Sequence, residues 1–272
     1  MIKFSVVIPS YKINKLLFKT LSSVFKQTTK PYEIIIIFSN KISEDQNNLL
    51  LKKNKNLKIF FSNNGNVSQN RNYGASKAKG NYLAFLDDDD LWSKNYLKYI
   101  EKILNKNKSK LIITWLNKIK NQKVSKFKKI SQKVKSEDLF NFNPGIIGSN
   151  IIVEKKIFKK IGGFDKKLTS SEDKDFFIKF LDKKIKFNIL KKRLVYHRQK
   201  NQKQLSYDTT GKQLFLKKYK YRMSKKDIYI NERRIFLLKL KNSSNLRKII
   251  YFFIFLYKLI IYKTGRSEER RV

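Results

Sequence analysis

The stretch NYLAFLDDDDLW, residues 81–92, decides how the chain is read. Its first six residues form a mostly apolar run of strand length, and four consecutive aspartates stand at its end. A strand without polar alternation is buried on both faces, as in a parallel sheet covered by helices. Adjacent carboxylates raise one another's pKa unless a cation sits between them. Four of them in a chain with 63 Lys and Arg against 21 Asp and Glu therefore need a physical explanation.

Working outward, the same kind of strand recurs. FSVVIP (4–9), EIIIIF (33–38), LKIFF (57–61) and LIITWL (111–116) are apolar runs of strand length. Between them lie helical patterns: from Asn14 through Phe25, from Ser43 through Lys53, at 67–80 with Gly80 as its stop, and at 93–106 with Ser93 as its cap. Alternating strands and helices make an α/β fold, a mostly parallel Rossmann-like sheet with helices on both faces. Such sheets bind ligands beyond the carboxyl ends of their strands. Pro9, Ser10 and Tyr11, then Phe38, Ser39 and Asn40, and then the aspartate run all fall at such ends.

Residues 117–135 read as a basic exposed loop, 144–153 as a glycine-bearing strand, 170–181 as a helix with an acidic start and 188–198 as a further strand. The expected organisation is one α/β domain over 1–205 and a basic helical region over 206–272. Within that region, IIYFFIFLYKLIIY (249–262) falls short of the ~20 residues needed to cross a bilayer. Flanked by Arg247, Lys248, Lys263 and Arg266, it reads as an amphipathic or hydrophobic helix near 245–263 lying on an anionic membrane surface. The first residues carry no signal-peptide pattern, so the expected location is cytoplasmic, peripheral on the inner face of the cell membrane.

Composition removes whole classes of chemistry. The absence of Cys excludes disulfides, Cys-ligated zinc and cysteine nucleophiles, and a single His excludes a histidine-rich metal site. A protein-bound metal would rest on oxygen ligands, which suits Mg²⁺ or Mn²⁺. The net charge of +42 is spread along the whole chain, as compositional bias would leave it. It favours anionic surfaces, but the Lys residues are not interleaved with aromatics in a nucleic-acid motif, so no specific nucleic acid is expected.

Seven of the 21 acids fall in two windows, 87–90 and Glu172, Asp173 and Asp175. Helix capping accounts for one or two acids of the first window, and Ser93 is available for that duty. A divalent cation shared with a phosphate accounts for the rest.

These blocks bear a resemblance. SVVIPSYK followed by SVFKQT, EIIII, NVSQNRNYGASKAKGNYLAFLDDDDLW and GGFDKKLTSSEDKDF resemble, in order and spacing, the inverting GT-A-fold glycosyltransferases of family 2, over roughly residues 3–205. The resemblance implies a nucleotide-sugar-dependent enzyme. It would move a sugar to a hydroxyl of a glycan or lipid-linked acceptor with inversion, in cell-surface polysaccharide synthesis. It implies a DxD motif on Asp87, Asp88 and Asp89, with Asp89 and Asp87 toward a Mn²⁺ or Mg²⁺ ion, Asp88 at the ribose, and Asp90 turned to the loop or capping the helix. It places Arg71 at the nucleotide or diphosphate, Asp173 as the base and Glu172 beside it to position the acceptor. Pro9, Ser10 and Tyr11 would lie at the nucleotide, and Gly148, Ser149 and Asn150 at donor sugar and acceptor. Two departures stand out. The acid that often reads the nucleotide base is replaced by Ser39, with Asp45 nearby, so a UDP-sugar is an expectation only. The late histidine is replaced by Lys200, with His197 three residues earlier. A basic nucleic-acid binder and a catalytically inactive homologue are the alternatives.

Overall fold

The computed structural model describes residues 1–52, 55–199 and 208–242. The first half alternates as its periodicity predicts: β1 (Phe4–Ser10), α1 (Lys15–Phe25), β2 (Glu33–Phe38), α2 (Glu44–Leu51), β3 (Leu57–Phe61), α3 (Val67–Lys77) and β4 (Tyr82–Phe85). There follow β5 (Leu91–Trp92), α4 (Tyr96–Asn107), β6 (Leu111–Lys120), β7 (Lys123–Lys126), α5 (Asp138–Asn141), β8 (Ile151–Glu154), α6 (Lys155–Lys160), α7 (Glu172–Asp182), β9 (Asn188–Arg198), α8 (Thr209–Tyr219) and α9 (Lys225–Asn242).

One sheet runs β3-β2-β1-β4-β8-β6-β9-β5, with β7 paired to β6. Its first four strands are parallel, with Val6 opposite both Ile34 and Ala84. Its second half joins through the antiparallel pairs β4–β8 and β8–β6 and the parallel pair β6–β9. The strand side chains divide between two cores. Val7, Ile35 and Ile37 face one, with Ala75 and Ala78 at the α3 end. Val6, Ile8, Ile34 and Ile36 face the other, with Leu17 and Leu21 of α1 and Leu97 and Ile100 of α4. Each of these strand residues is almost fully buried, worth about 1.5–3 kcal/mol apiece on transfer from water. Burial on both faces is why the sequence shows no alternation.

Local signals set the ends. The Asn14 side chain accepts from the amides of Leu16 and Leu17 and starts α1, and Asn66 with Gln69 closes a capping box on α3. Helix α3 packs so close to β1 that a β-carbon on Gly74 would lie 2.4 Å from Val7 Cγ1.

Three expectations are corrected. Helix α4 starts at Tyr96 and has no side-chain cap; Ser93 instead pairs with β9, its amide donating to Leu194 O at 2.8 Å. The basic segment expected as loop over 117–135 is strand at 117–120 and 123–126 and irregular beyond. β6 runs on to Lys120 and turns back as β7, a hairpin whose outer strand is fully polar apart from Val124 and therefore looks structureless in sequence. Residues 148–150 form a 3₁₀ turn ahead of β8 rather than part of it.

The helical region after 205 is helical over α8 and α9 and enters the main core through Phe215, Leu216, Tyr219, Met223 and Ile235. The tie is polar as well. Asp175 of α7, fully buried, accepts from Tyr219 Oη at 2.8 Å and pairs with Lys218 Nζ at 2.6 Å. The segment near 245–263 lies outside the described residues. No described helix is long and apolar enough to cross a membrane.

Candidate active site

The parallel strands end at one rim. The ladder carries past β4 to Leu86, whose amide donates to Val7 O at 3.0 Å, and the aspartate run then turns over itself with Asp90 N on Asp87 O. Ser10, at the end of β1, donates its hydroxyl to Asp88 Oδ2 at 2.6 Å. A cleft of about 1000 Å³ opens there, lined at the strand ends by Pro9, Ser10, Tyr11, Ser39, Arg71 and 87–89. Glu172 and Asp173 line it from the head of α7.

Arg71 joins the two acidic windows. It is 1% exposed, and its Nη2 donates to Asp87 at 2.6 Å while Nη1 donates to Glu172 at 3.0 Å and to Asp173 at 3.2 Å. One cation thus faces three carboxylates. Burial alone would lower the guanidinium pKa, but Asp87, Asp173 and Glu172 outweigh it, so the charge is locked on. The excess negative charge falls on the acids. Burial and neighbouring Glu172 push the Asp173 carboxyl well above the usual carboxylate range, against the pull of Arg71, and burial raises Glu172 too. A carboxylate tuned upward in a cleft suits general-base chemistry near neutral pH.

The turn GGFD brings α7 to Arg71. Asn72, one residue along α3, clamps Phe164 from both sides, its Nδ2 donating to Phe164 O and its Oδ1 accepting from Phe164 N. The Phe164 ring then lies 5.0 Å from the Arg71 guanidinium. Ser68 holds Leu168 O, and Ser171, in the left-handed region at φ 67°, turns the chain into α7.

Asp90 points the other way. It is fully buried and accepts from Ser149 Oγ at 2.6 Å, from the Arg198 amide at 2.8 Å and from His197 Nδ1 at 3.2 Å. It therefore ties the aspartate turn to β9 and caps no helix. Burial would lower the His197 pKa, but Asp90, with Asp87 and Asp89 beyond, raises it to about 9. The protonated ring lines the cleft, stacked on Phe127.

Two expected contacts are corrected. Ser149 and Asn150 do not reach the cleft; both are fully buried. Ser149 accepts from the Asp87 amide and donates to Asp90, while Asn150 Nδ2 donates to Thr114 O and Gly145 O. Their polar side chains hold the irregular backbone that a strand reading did not require. Gly148 belongs under Arg71. Ser39 lines the cleft but is 6% exposed, its hydroxyl donating to Gly65 O and accepting from Asn70 Nδ2. Asp45 sits exposed in the first turn of α2, away from the cleft lining.

For a metal, the strand-end rim of the cleft offers the carboxylate oxygens of Asp87, Asp88 and Asp89. Asp87 Oδ1 is engaged by Arg71 and Asp88 Oδ2 by Ser10. Among the described residues no group of three acids or histidines is placed to hold an ion by itself. That donor set fits a hard cation completed by ligand phosphates, the habit of Mg²⁺ and Mn²⁺.

Sequence reading missed the opposite wall. Lys174, Lys212 and Arg234, with Phe142, Asn143 and Asn231, line the same cleft from α7, α8, α9 and the segment after α5. Their only sequence signal is that Lys174 follows Asp173.

The family model for glycosyl transferase family 2 matches residues 5–162. An uncharacterised glycosyltransferase of Methanocaldococcus jannaschii is 28% identical over 95% of this chain and 87% of its own. One of Rickettsia typhi is 31% identical over 65% of this chain, which spans 58% of that relative's length. The poly(ribitol-phosphate) beta-N-acetylglucosaminyltransferase TarP of Staphylococcus aureus is 37% identical over 41% of this chain and 36% of its own. Among solved structures, residues 1–349 of Staphylococcus aureus TarS in complex with UDP-GlcNAc superpose with a TM-score of 0.63 at 22% identity, over 93% of this chain and 71% of that one.

Proposed function

Because this chain belongs to glycosyl transferase family 2, we propose that its cleft transfers a sugar from a nucleotide-diphosphate donor to a hydroxyl of a glycan or lipid-linked acceptor, with inversion, in cell-surface polysaccharide synthesis. The observation that carries the reading is Asp173. Its carboxyl, pushed upward by burial and by Glu172, lines the same cleft as Asp88 and Asp89 and is tied to Asp87 through Arg71.

The reaction is a single displacement. Asp173 takes the acceptor hydroxyl's proton as the acceptor oxygen bonds to the anomeric carbon. The bond from that carbon to the diphosphate oxygen breaks, and the electron pair leaves with the nucleoside diphosphate. Glu172 orients the acceptor. Asp88, fixed by Ser10, takes the ribose, with Pro9, Tyr11 and Ser39 around the nucleotide. Arg71 acts from beneath by holding the carboxylates of both windows. Asp89, with Asp87, would hold a Mn²⁺ or Mg²⁺ ion, which neutralises charge on the departing diphosphate when bound. The charged His197 adds a second positive group on that side.

A UDP-sugar is the leading donor class, in line with the UDP-GlcNAc complex of TarS. The polymer-building role is drawn from the similarity to the poly(ribitol-phosphate) beta-N-acetylglucosaminyltransferase TarP and to the minor teichoic acid biosynthesis protein GgaB of Bacillus subtilis, 31% identical over 40% of this chain. The membrane reading rests on the sequence near 245–263, and liposome flotation with and without residues 245–272 tests it. Equal flotation would discard it. For the activity, the full chain is incubated with a panel of nucleotide sugars and Mn²⁺. Release of free nucleoside diphosphate by the wild type and not by Asp173→Asn is expected. Equal release by both would remove Asp173 from the role of base.

A further inference from the structure

Away from the strand ends, the cleft lining gathers Lys174, Lys212 and Arg234. Lys174 is 7% exposed, its Nζ lies 3.9 Å from the centre of the Phe215 ring, and it forms no ion pair among the described residues. Lys212 of α8 and Arg234 of α9 line the same wall. The nearest acids act on Lys212 rather than on Lys174: Asp208 and Glu172 offset part of the burial that lowers the Lys212 ammonium. Asp208 accepts from Thr169 Oγ1 and caps α8 through the amides of Thr210 and Gly211, and Glu172 pairs with Arg71. Lys218, by contrast, meets Asp165 and Asp175 directly. Burial and repulsion from Arg234, Lys212 and Lys128 bring the Lys174 ammonium down to about 7, the mark of a site short of an anion. A largely buried cation without a partner is costly, and an anion in the cleft removes that cost.

Position decides which anion. Ser10, Asp88 and Asp89 stand at the ends of β1 and β4, where the donor diphosphate belongs in the reading above. Lys174 adjoins Asp173 at the head of α7, and its companions come from α8 and α9. In a single displacement the nucleophile enters opposite the leaving group. The cations therefore flank the acceptor's entry.

We propose that Lys174, Lys212 and Arg234 form an anion subsite for the acceptor, so that the hydroxyl meeting Asp173 belongs to a phosphate-bearing glycan or polyol. The proposal rests on the transferase reading and names its acceptor class. The chemistry suits a phosphodiester or phosphomonoester, which presents several oxygens to Lys and Arg donors at once.

The test measures binding by calorimetry on the full chain with two probes, a glycerol phosphate oligomer and UDP with Mn²⁺. Lys174→Gln, Lys212→Gln and Arg234→Gln are compared with Lys98→Gln, a control on the exposed face of α4. Each cleft variant is expected to weaken oligomer binding about tenfold, the loss of one charge-assisted hydrogen bond, and to leave UDP binding within about twofold. Should burial make Lys174→Gln unstable, the less buried Lys212 and Arg234 still give the answer. Unchanged oligomer binding in these variants overturns the proposal. An equal loss in Lys98→Gln, or a parallel loss of UDP binding, overturns it as well, the latter because the cations would then serve the donor. If no nucleotide sugar reacts while the oligomer still binds through these cations, the anion subsite stands and the transferase reading falls.

Discussion

A β-carbon added to Gly148 would lie 2.3 Å from Arg71 Nη2. The 3₁₀ turn at 148–150 is thus the floor on which the guanidinium rests, and the glycine is required by clearance rather than by a special backbone angle. Gly148→Ala is expected to displace Arg71 from its three carboxylates. Breaking a buried ion pair typically costs about 3–5 kcal/mol, so a large drop in melting temperature should accompany loss of transfer. A variant that melts like the wild type would show that Arg71 has room to move.

Asp173→Asn separates chemistry from stability. Removing the base should lower turnover by about 10²–10⁴-fold. It also removes one of three like charges around a single cation, so the melting temperature should hold or rise. A fall in both would mean that Asp173 chiefly anchors Arg71.

The raised Asp173 carboxyl fixes the acid side of the rate profile. The base works deprotonated, so kcat/KM should rise with pH through an apparent pKa above the usual carboxylate range, before any alkaline limb. A profile already flat at pH 5 would contradict the placement.

His197 gives the opposite dependence in stability. Its pKa is raised in the folded chain, from 6.5 to about 9, by the buried Asp90 carboxylate. The associated stability is fully present below pH 6.5 and is lost as pH rises through about 9. Denaturant midpoints measured across pH 6–10 should fall over that window. In His197→Gln the fall attributable to this pair should vanish.

Tyr219→Phe tests the bond between α8 and the α/β layers. The phenol donates to fully buried Asp175, and hydrogen bonds to charged groups contribute about 1.5–3 kcal/mol. Urea unfolding should show a loss in that range. A negligible change would mean that Lys218 and Lys179 satisfy the carboxylate without the phenol.

The parallel half was legible because both-face burial leaves uninterrupted apolar runs, as in EIIIIF, and because Asn14 and Ser43 stand where helices start. The rim was legible too, since strand ends and aspartates coincide in the chain. What sequence could not supply was direction. Four identical side chains in a row differ only in what they meet: Asp87 meets Arg71, Asp88 meets Ser10, and Asp90 meets Ser149 and His197 from far along the chain. The family resemblance put Ser149 and Asn150 at donor sugar and acceptor, yet irregular backbone needs the same polar groups. The Lys174 wall was hidden because its members lie on three helices, in a chain where lysine is everywhere.

Arg71 is synthesised 101 residues before Glu172. At roughly 5–20 residues per second, the first four strands wait on the order of 5–20 s for the helix that supplies two of the three carboxylates around Arg71. The early half of this chain therefore emerges as an unfinished layer, its Arg71 cation matched by Asp87 alone. Its commitment to the native state comes late in translation, when the head of α7 arrives.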